Sequence, residues 1–246
     1  MTLSTFKYRR VLLKLSGEAL SGENYQTLDP IILSNIVNEI IEISNLGIKI
    51  GIVIGGGNLF RGAALEKMGI DRITGDQMGM LATFINALAL RDAFEKCGKV
   101  AKIMSAVPTG SLAPVFERHK AKRYLEKSYI VIFAGGTGNP LFSTDSAASL
   151  RGIEIGADIL LKATHVDGVY SADPKKDKRA VLYSQVSYQT ALEKELGVMD
   201  LAAFSQCRDY SLPIHVFNIQ TKNALRKIIE GKKLGTRVSN QGDEIV

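Results

Sequence analysis

Apolar residues fall in short uninterrupted runs separated by stretches of helical period. Residues 11–15 (Val-Leu-Leu-Lys-Leu), 48–54, 100–106 and 129–134 are almost wholly apolar and too short for helices, so each reads as a strand buried on both faces. Between them the spacing changes. Asp29-Pro30 predicts an N-cap with proline at the first helical position, followed by Ile32, Ile36, Ile40 and Ile41 on one stripe that stops before Gly47. Residues 76–97 predict a long helix capped by Asp76 and ended by Gly98. The second half predicts a helix from about residue 145 to 155, a strand over 158–163 and a long loop over 164–180. Helices over 188–196 and 201–210, a strand over 214–217 and a helix capped by Thr221 and ending before Gly231 complete the pattern. Such alternation implies a mostly parallel sheet covered by helices on both faces. With no repeat or low-complexity linker, residues 1–246 are expected to form one domain, the segment 173–177 being the one place where two lobes would part.

Composition narrows the picture. The 246 residues are 46% hydrophobic and 23% charged, ordinary for a globular protein, and no run approaches the roughly 20 apolar residues of a membrane span. The first ten residues contain no cleavable apolar segment, so a cytoplasmic protein is expected. Cys97 and Cys207 stand alone, and His119, His165 and His215 are scattered, which assigns no metal ligand. The net charge of +6 suits acidic small molecules as well as nucleic acid. Trp is absent and no basic tract is interleaved with aromatics; residues 118–123 read as the solvated face of an amphipathic helix, so no nucleic acid is required as a partner.

Glycine-rich turns follow three of the strands: Ser16-Gly17-Glu18, Gly55-Gly56-Gly57-Asn58-Leu59-Phe60-Arg61-Gly62, and Gly135-Gly136-Thr137-Gly138-Asn139-Pro140. Glycines at a strand end leave backbone N–H groups open to an anion, and in open α/β sheets ligands bind at the carboxyl ends of the strands. Phosphate is the expected guest. There is no GxxxxGK[ST] segment, and no turn fits GxGxxG with its downstream acid, which excludes a Walker-type NTPase and a standard dinucleotide binder. Phosphoryl transfer asks for cations at those strand ends. Lys14 and Lys162 each interrupt an apolar run just before such an end; each is either a lysine snorkelling from an edge strand or a charge aimed at the crevice. Asp145 is either a first-turn acid of a helix or the anion that holds the two lysines, with metal ligation open to it as well. Asp76 is a helix cap or a ligand contact, and Arg61 a surface charge or a phosphate clamp.

Several segments together carry a resemblance: Lys14-Leu15-Ser16-Gly17-Glu18-Ala19-Leu20, the 55–62 turn, Gly75-Asp76-Gln77-Met78-Gly79-Met80, Thr137-Gly138-Asn139-Pro140-Leu141-Phe142-Ser143-Thr144-Asp145, 166–174 and 198–204. In order and over nearly the whole chain, they resemble the bacterial uridylate kinase group of the amino acid kinase family. The resemblance implies a three-layer α/β/α sandwich and transfer of the γ-phosphate of ATP to UMP, giving UDP and ADP, with Mg²⁺ present but no direct metal ligand assigned. By that likeness Lys14, Leu15, Ser16, Gly17, Gly57, Arg61, Thr164, Tyr170 and Asp173 contact ATP. Gly56, Asp76, Thr137, Gly138, Asn139, Pro140, Leu141, Phe142, Ser143 and Thr144 contact UMP. Lys14 and Lys162 neutralise the moving group and Asp145 organises them. A homohexamer inhibited by UTP is implied as well. Residues 21–28 depart from the family's Gly-Phe-Gly segment, so the resemblance does not extend to activation by GTP; His165 stands where lysine or asparagine is frequent, and neither departure touches the chemistry.

Overall fold

The computed structural model describes residues 6–22, 26–174, 176–197 and 199–245; Glu23, Asn24, Tyr25, Lys175 and Val198, which fall in stretches singled out above, lie outside the described residues. The strands are β1 (Arg10–Leu15), β2 (Lys49–Ile54), β3 (Ala101–Ser105), β4 (Ile130–Ala134), β5 (Ile159–Thr164), β6 (Tyr183–Ser187), β7 (Ile214–Asn218), β8 (Thr236–Ser239) and β9 (Glu244–Ile245). Among the described residues they form one sheet in the order β3-β4-β2-β1-β5-β7-β8-β6-β9. From β3 to β7 every pairing is parallel; β8 runs antiparallel to β7, and β9 antiparallel to β6.

Helices cover both faces, as the alternation requires. Above one face lie α1 (Pro30–Asn45), α3 (Arg72–Lys96) and α8 (Ala224–Ile229), whose Val37, Ile40, Phe84, Phe94 and Leu225 pack on Val11, Leu13, Ile50 and Ile52. Above the other lie α4 (Arg118–Glu126), α5 (Thr144–Ile155), α6 (Tyr188–Glu193) and α7 (Leu201–Asp209), with Leu125, Ile155, Tyr188 and Phe204 on Leu12, Val53 and Leu160. A short α2 (Gly62–Glu66) precedes α3. Each fully buried Leu, Ile or Phe stabilises the fold by about 1.5–3 kcal/mol, which is why the near-continuous apolar runs belong to the central strands.

Three expectations change. Asp76 does not cap the long helix: Asp71 does, accepting from the N–H groups of Ile73 and Thr74 at 3.0 and 3.1 Å, so the helix starts one turn earlier and Asp76 is free of the capping role. Thr221 does not cap α8; Asn223, in the left-handed conformation, stands there. Strands β6, β8 and β9 and helix α2 were not predicted. Tyr-Ser-Gln-Val-Ser and Thr-Arg-Val-Ser are mostly polar, and only Tyr183, Val186 and Val238 join the apolar core, so neither carries the apolar run of a central strand.

His215 sits inside β7, where its Nε2 lies 2.6 Å from the Leu234 carbonyl oxygen. Burial, with Arg237 and Lys7 nearby, pulls its pKa down to about 4, the Leu234 carbonyl opposing in part. The folded pKa lies below the unfolded value near 6.5, so the contribution to stability is full above pH 6.5, falls as pH drops toward 4 and is flat below that. It amounts to on the order of 3 kcal/mol. His215→Gln keeps a donor for Leu234 and removes the titration. Denaturant midpoints at pH 7 and pH 5 are expected to differ less in that variant than in the parent; equal differences would refute the assignment.

Candidate active site

Lys14 and Lys162 are register partners on the adjacent parallel strands β1 and β5. Side chains at paired positions leave the same face of a sheet, roughly 4.8 Å apart. Each lysine continues a row that is apolar one step earlier, Leu12 before Lys14 and Leu160 before Lys162, so the face changes from core to site at the strand ends. Because β1 lies between β2 and β5, Lys14 is not an edge-strand lysine, and snorkelling from an edge is excluded.

Asp145 bridges the two. Its Oδ1 lies 2.9 Å from Lys14 Nζ and its Oδ2 2.7 Å from Lys162 Nζ, with all three side chains no more than 13% exposed. The aim of the carboxylate follows from the start of α5: Ser143 is the N-cap, accepting from the N–H of Asp145 at 2.9 Å, and Asp145 stands in the first turn facing the strand ends. Burial pushes the Asp145 carboxyl up, but attraction to Lys14 and Lys162 and their hydrogen bonds outweigh it and hold the pKa below the usual carboxylate range. Burial lowers the Lys162 pKa, and Asp145 offsets part of that. The two ammonium groups are thus held side by side at the carboxyl end of the sheet, with Asp200 also attracting Lys162.

Two cavities flank this trio. The first, of about 320 Å³, is lined by Gly56, Gly57, Arg61 and Asp76 and, from the loop before α5, by Thr137, Asn139, Phe142, Ser143 and Thr144. Gly57 and Arg61, expected with ATP, therefore share a cavity with residues expected at UMP. Gly138, Pro140 and Leu141 belong to the same loop but not to its lining; Leu141 N–H donates to Asp76 Oδ2 at 2.9 Å, which ties the loop to α3. The second cavity, about 390 Å³, is lined by Lys162, Thr164, Tyr170 and Asp173 together with Lys194 to Gly197. Lys162 faces this cavity, and Thr144, the neighbour of Asp145, faces the other, so the charged trio stands between them. Leu15, Ser16 and Gly17 line neither: Leu15 is core, and Ser16 caps a short 3-10 turn over Gly17–Leu20. A larger cavity of about 700 Å³ opens beside α1 and the segment after β7, and none of the candidate residues lines it.

The glycine turns touch backbone to backbone. A Cβ on Gly17 would stand 2.7 Å from Gly57 N, and one on Gly55 2.9 Å from Gly17 N. At Gly56 a Cβ would lie 2.5 Å from the Gly79 carbonyl oxygen and 2.7 Å from Ala82 Cβ, both on α3. Neither neighbour is the flexible end of a side chain, so Gly56→Ala must push the turn off the helix. The expected loss is about 1–3 kcal/mol, a fall of several degrees in Tm for a chain of this size. A Tm within about a degree of the parent would show that the turn yields freely.

Two residues with a part in the site were given no role by sequence reasoning. Asp200 caps α7 through Ala203 N–H at 2.8 Å and accepts from the hydroxyls of Ser143 and Ser146, the latter at 3.0 Å, fastening α7 to the first turn of α5. Glu18 pairs with Arg61; burial pushes its carboxyl up, and Arg61, together with a backbone N–H and Lys14, more than reverses this. The segment 198–204 pointed to Asp200, but its partners are more than fifty residues away in sequence, which no local pattern reveals.

A mostly parallel α/β sandwich with glycine turns and a cationic pair gathered at its strand ends is the architecture of a phosphate-transferring protein. Residues 9–218 match the family model described as amino acid kinase family, and the chain belongs to that family. It is 59% identical to a uridylate kinase of Coxiella burnetii over 231 residues, covering 94% of this chain and 95% of that one. With a uridylate kinase of Saccharophagus degradans it shares 51% over 238 residues, 97% and 96% of the two chains. The fold is that of the UMP kinase of Bacillus anthracis, with a TM-score of 0.94 and 41% identity over 97% of this chain and 99% of the other. The UMP kinase of Ureaplasma parvum follows at 0.89 and 35%, over 95% and 99%.

Proposed function

We propose that this protein is an ATP-dependent UMP kinase, moving the γ-phosphoryl group of ATP to UMP to give UDP and ADP for pyrimidine nucleotide supply. The observation that carries the chemistry is Asp145 bridging Lys14 and Lys162 between two cavities. The acceptor's identity rests on uridylate kinases that match over 94% and 97% of the chain. Phosphoryl transfer spreads negative charge over the oxygens of the moving group, so catalysis is alignment and charge neutralisation more than covalent chemistry. In this reading UMP enters the cavity of Gly56, Asp76 and Thr137 to Thr144, and ATP lies along Lys14 to Gly17 and in the cavity of Thr164, Tyr170 and Asp173. Lys14 and Lys162 meet the transferring group, and Asp145 keeps both aimed at it.

Among the described residues no three His, Cys, Asp or Glu side chains gather to hold a metal, and both Asp145 oxygens face ammonium groups. That suits Mg²⁺ as an ion carried by the nucleotide, since it characteristically keeps phosphate oxygens and waters as ligands with at most one or two carboxylates. Bound there, it would neutralise phosphate charge alongside the lysines. Assembly of copies into a hexamer is part of the proposal, as are inhibition by UTP and a cytoplasmic location. Leu81 and Ile85, 61% and 45% exposed one turn apart on α3, support burial of that helix between copies. No helix among the described residues is long and apolar enough to cross a membrane. ADP release measured with UMP, CMP, dCMP, aspartate, glutamate and carbamate as acceptors tests the reading: UMP is expected to be preferred, and preference for any other acceptor overturns it.

A further inference from the structure

Helix α3 presents two buried polar side chains, one turn apart, to the glycine turns after β2 and β4. Thr83 is 2% exposed; its hydroxyl accepts from Gly135 N–H at 2.7 Å and donates to the Met80 carbonyl at 2.6 Å. Asn86 is fully buried, and its amide donates to the Gly55 carbonyl at 2.7 Å. Asn86 also exchanges reciprocal amide bonds of 2.8 and 3.1 Å with Asn58, whose amide reaches the Thr27 carbonyl at 2.6 Å. Apolar residues fill most of this face of α3, so two buried polar side chains that each bond the backbone of a glycine turn call for a reason.

We propose that Thr83 and Asn86 are positioning residues for the transfer reaction: Thr83 fixes the turn that opens the acceptor's loop, and Asn86 fixes the turn shared by both substrates. The proposal rests on the cavity of Gly56, Asp76 and Thr137 to Thr144 being the acceptor's. The physical need lies in the turns themselves. Gly135 and Gly136 have φ of +82° and +60°, and no Cβ anchors them to their surroundings. Such a segment has more backbone freedom to lose than any other, so its direction must be set from outside. Thr83 supplies the setting through a hydroxyl used in both directions, as acceptor for the buried Gly135 N–H and as donor within its own helix. Valine has the same shape and neither capacity, which would leave a buried N–H without a partner; serine retains both. Asn86 acts one turn further along, on Gly55, which directly precedes Gly56 of the acceptor cavity and packs against the backbone of Gly17, at the end of the stretch the proposed function gives to ATP.

The test compares Thr83→Val, Thr83→Ser and Asn86→Ala with the parent in steady-state kinetics and in amide hydrogen exchange without nucleotide. Thr83→Val is expected to raise the KM for UMP about 10- to 100-fold while that for ATP stays within about twofold, and Thr83→Ser to remain within about threefold of the parent. Asn86→Ala is expected to raise both KM values. Exchange at Gly135 N–H is expected to quicken about tenfold or more in Thr83→Val and to stay near the parent rate in Thr83→Ser. Lower thermal stability with both KM values unchanged, or equal rises in the valine and serine variants, overturns the positioning role. Exchange uses no substrate, so it separates the two readings: should the parent fail to phosphorylate UMP, faster exchange in Thr83→Val sustains the positioning role while the substrate reading falls. Unchanged exchange sinks the positioning role whatever the acceptor.

Discussion

Lys162→Ala is expected to lower kcat by about 10²- to 10³-fold while leaving the KM values for ATP and UMP within a few-fold, because the charge it removes is needed most when the phosphoryl group is in flight. Groups that bind substrate and transition state equally change KM; a group that meets charge developing in transfer changes kcat. The geometry separates this loss from unfolding. Without Lys162, Asp145 keeps its 2.9 Å pair with Lys14, so no buried charge is left alone and Tm should move little. Steady-state kinetics with each substrate varied, together with a melting curve, check both halves. Turnover equal to the parent's would remove Lys162 from the mechanism, and a collapse in Tm would move the defect from catalysis to folding.

The same pair of lysines shows how far sequence reaches. Lys14 and Lys162 were readable because each breaks an apolar run just before a strand end, and strand ends of a parallel sheet converge on one crevice. Their side-by-side register on β1 and β5 was not readable, since strand order depends on crossovers through helices rather than on local pattern. Asp76 shows the reverse. An acid beside the Gly75 that precedes a helical stretch mimics an N-cap, yet Asp71 lies one turn upstream and takes that part, leaving Asp76 to hold the Leu141 amide. Thr83 and Asn86 were invisible because their partners, Gly135 and Gly55, lie 52 and 31 residues away and a buried threonine or asparagine has no sequence signature. Strand β8, between β7 and β6, was lost for a related reason: of its four residues Val238 alone is apolar, and the buried Thr236 and Ser239 are polar, so the apolar run that marks the central strands is missing.

Asp145→Asn is expected to be the more damaging change, since it removes the anion that bridges two nearly buried ammonium groups without altering shape. Breaking a buried ion pair by deleting one partner characteristically costs about 3–5 kcal/mol, which for a chain of this length corresponds to a Tm lower by roughly 10 °C. Its pH dependence has a definite sign. The Asp145 pKa is held below its unfolded value, so the carboxylate's contribution is present above the unfolded pKa near 3.8 and is lost as pH falls through the folded one; the gap between parent and variant should therefore close in acid. At the alkaline end the Lys162 pKa, already lowered by burial, loses the attraction that offsets it. The variant should regain stability as pH rises toward the unfolded lysine value, because the unfolded chain then binds the extra proton. Nucleotide supplies a further check: phosphate oxygens of ATP bring negative charge to the same two ammonium groups, so ATP should raise Tm more in the variant than in the parent. Activity should not return with stability, because the phosphates neutralise the lysines without fixing their direction, and kcat should stay down by at least the 10²-fold of Lys162→Ala. Equal stability in parent and variant at neutral pH, or an equal gain from ATP, would mean that Asp145 does not govern the two lysines.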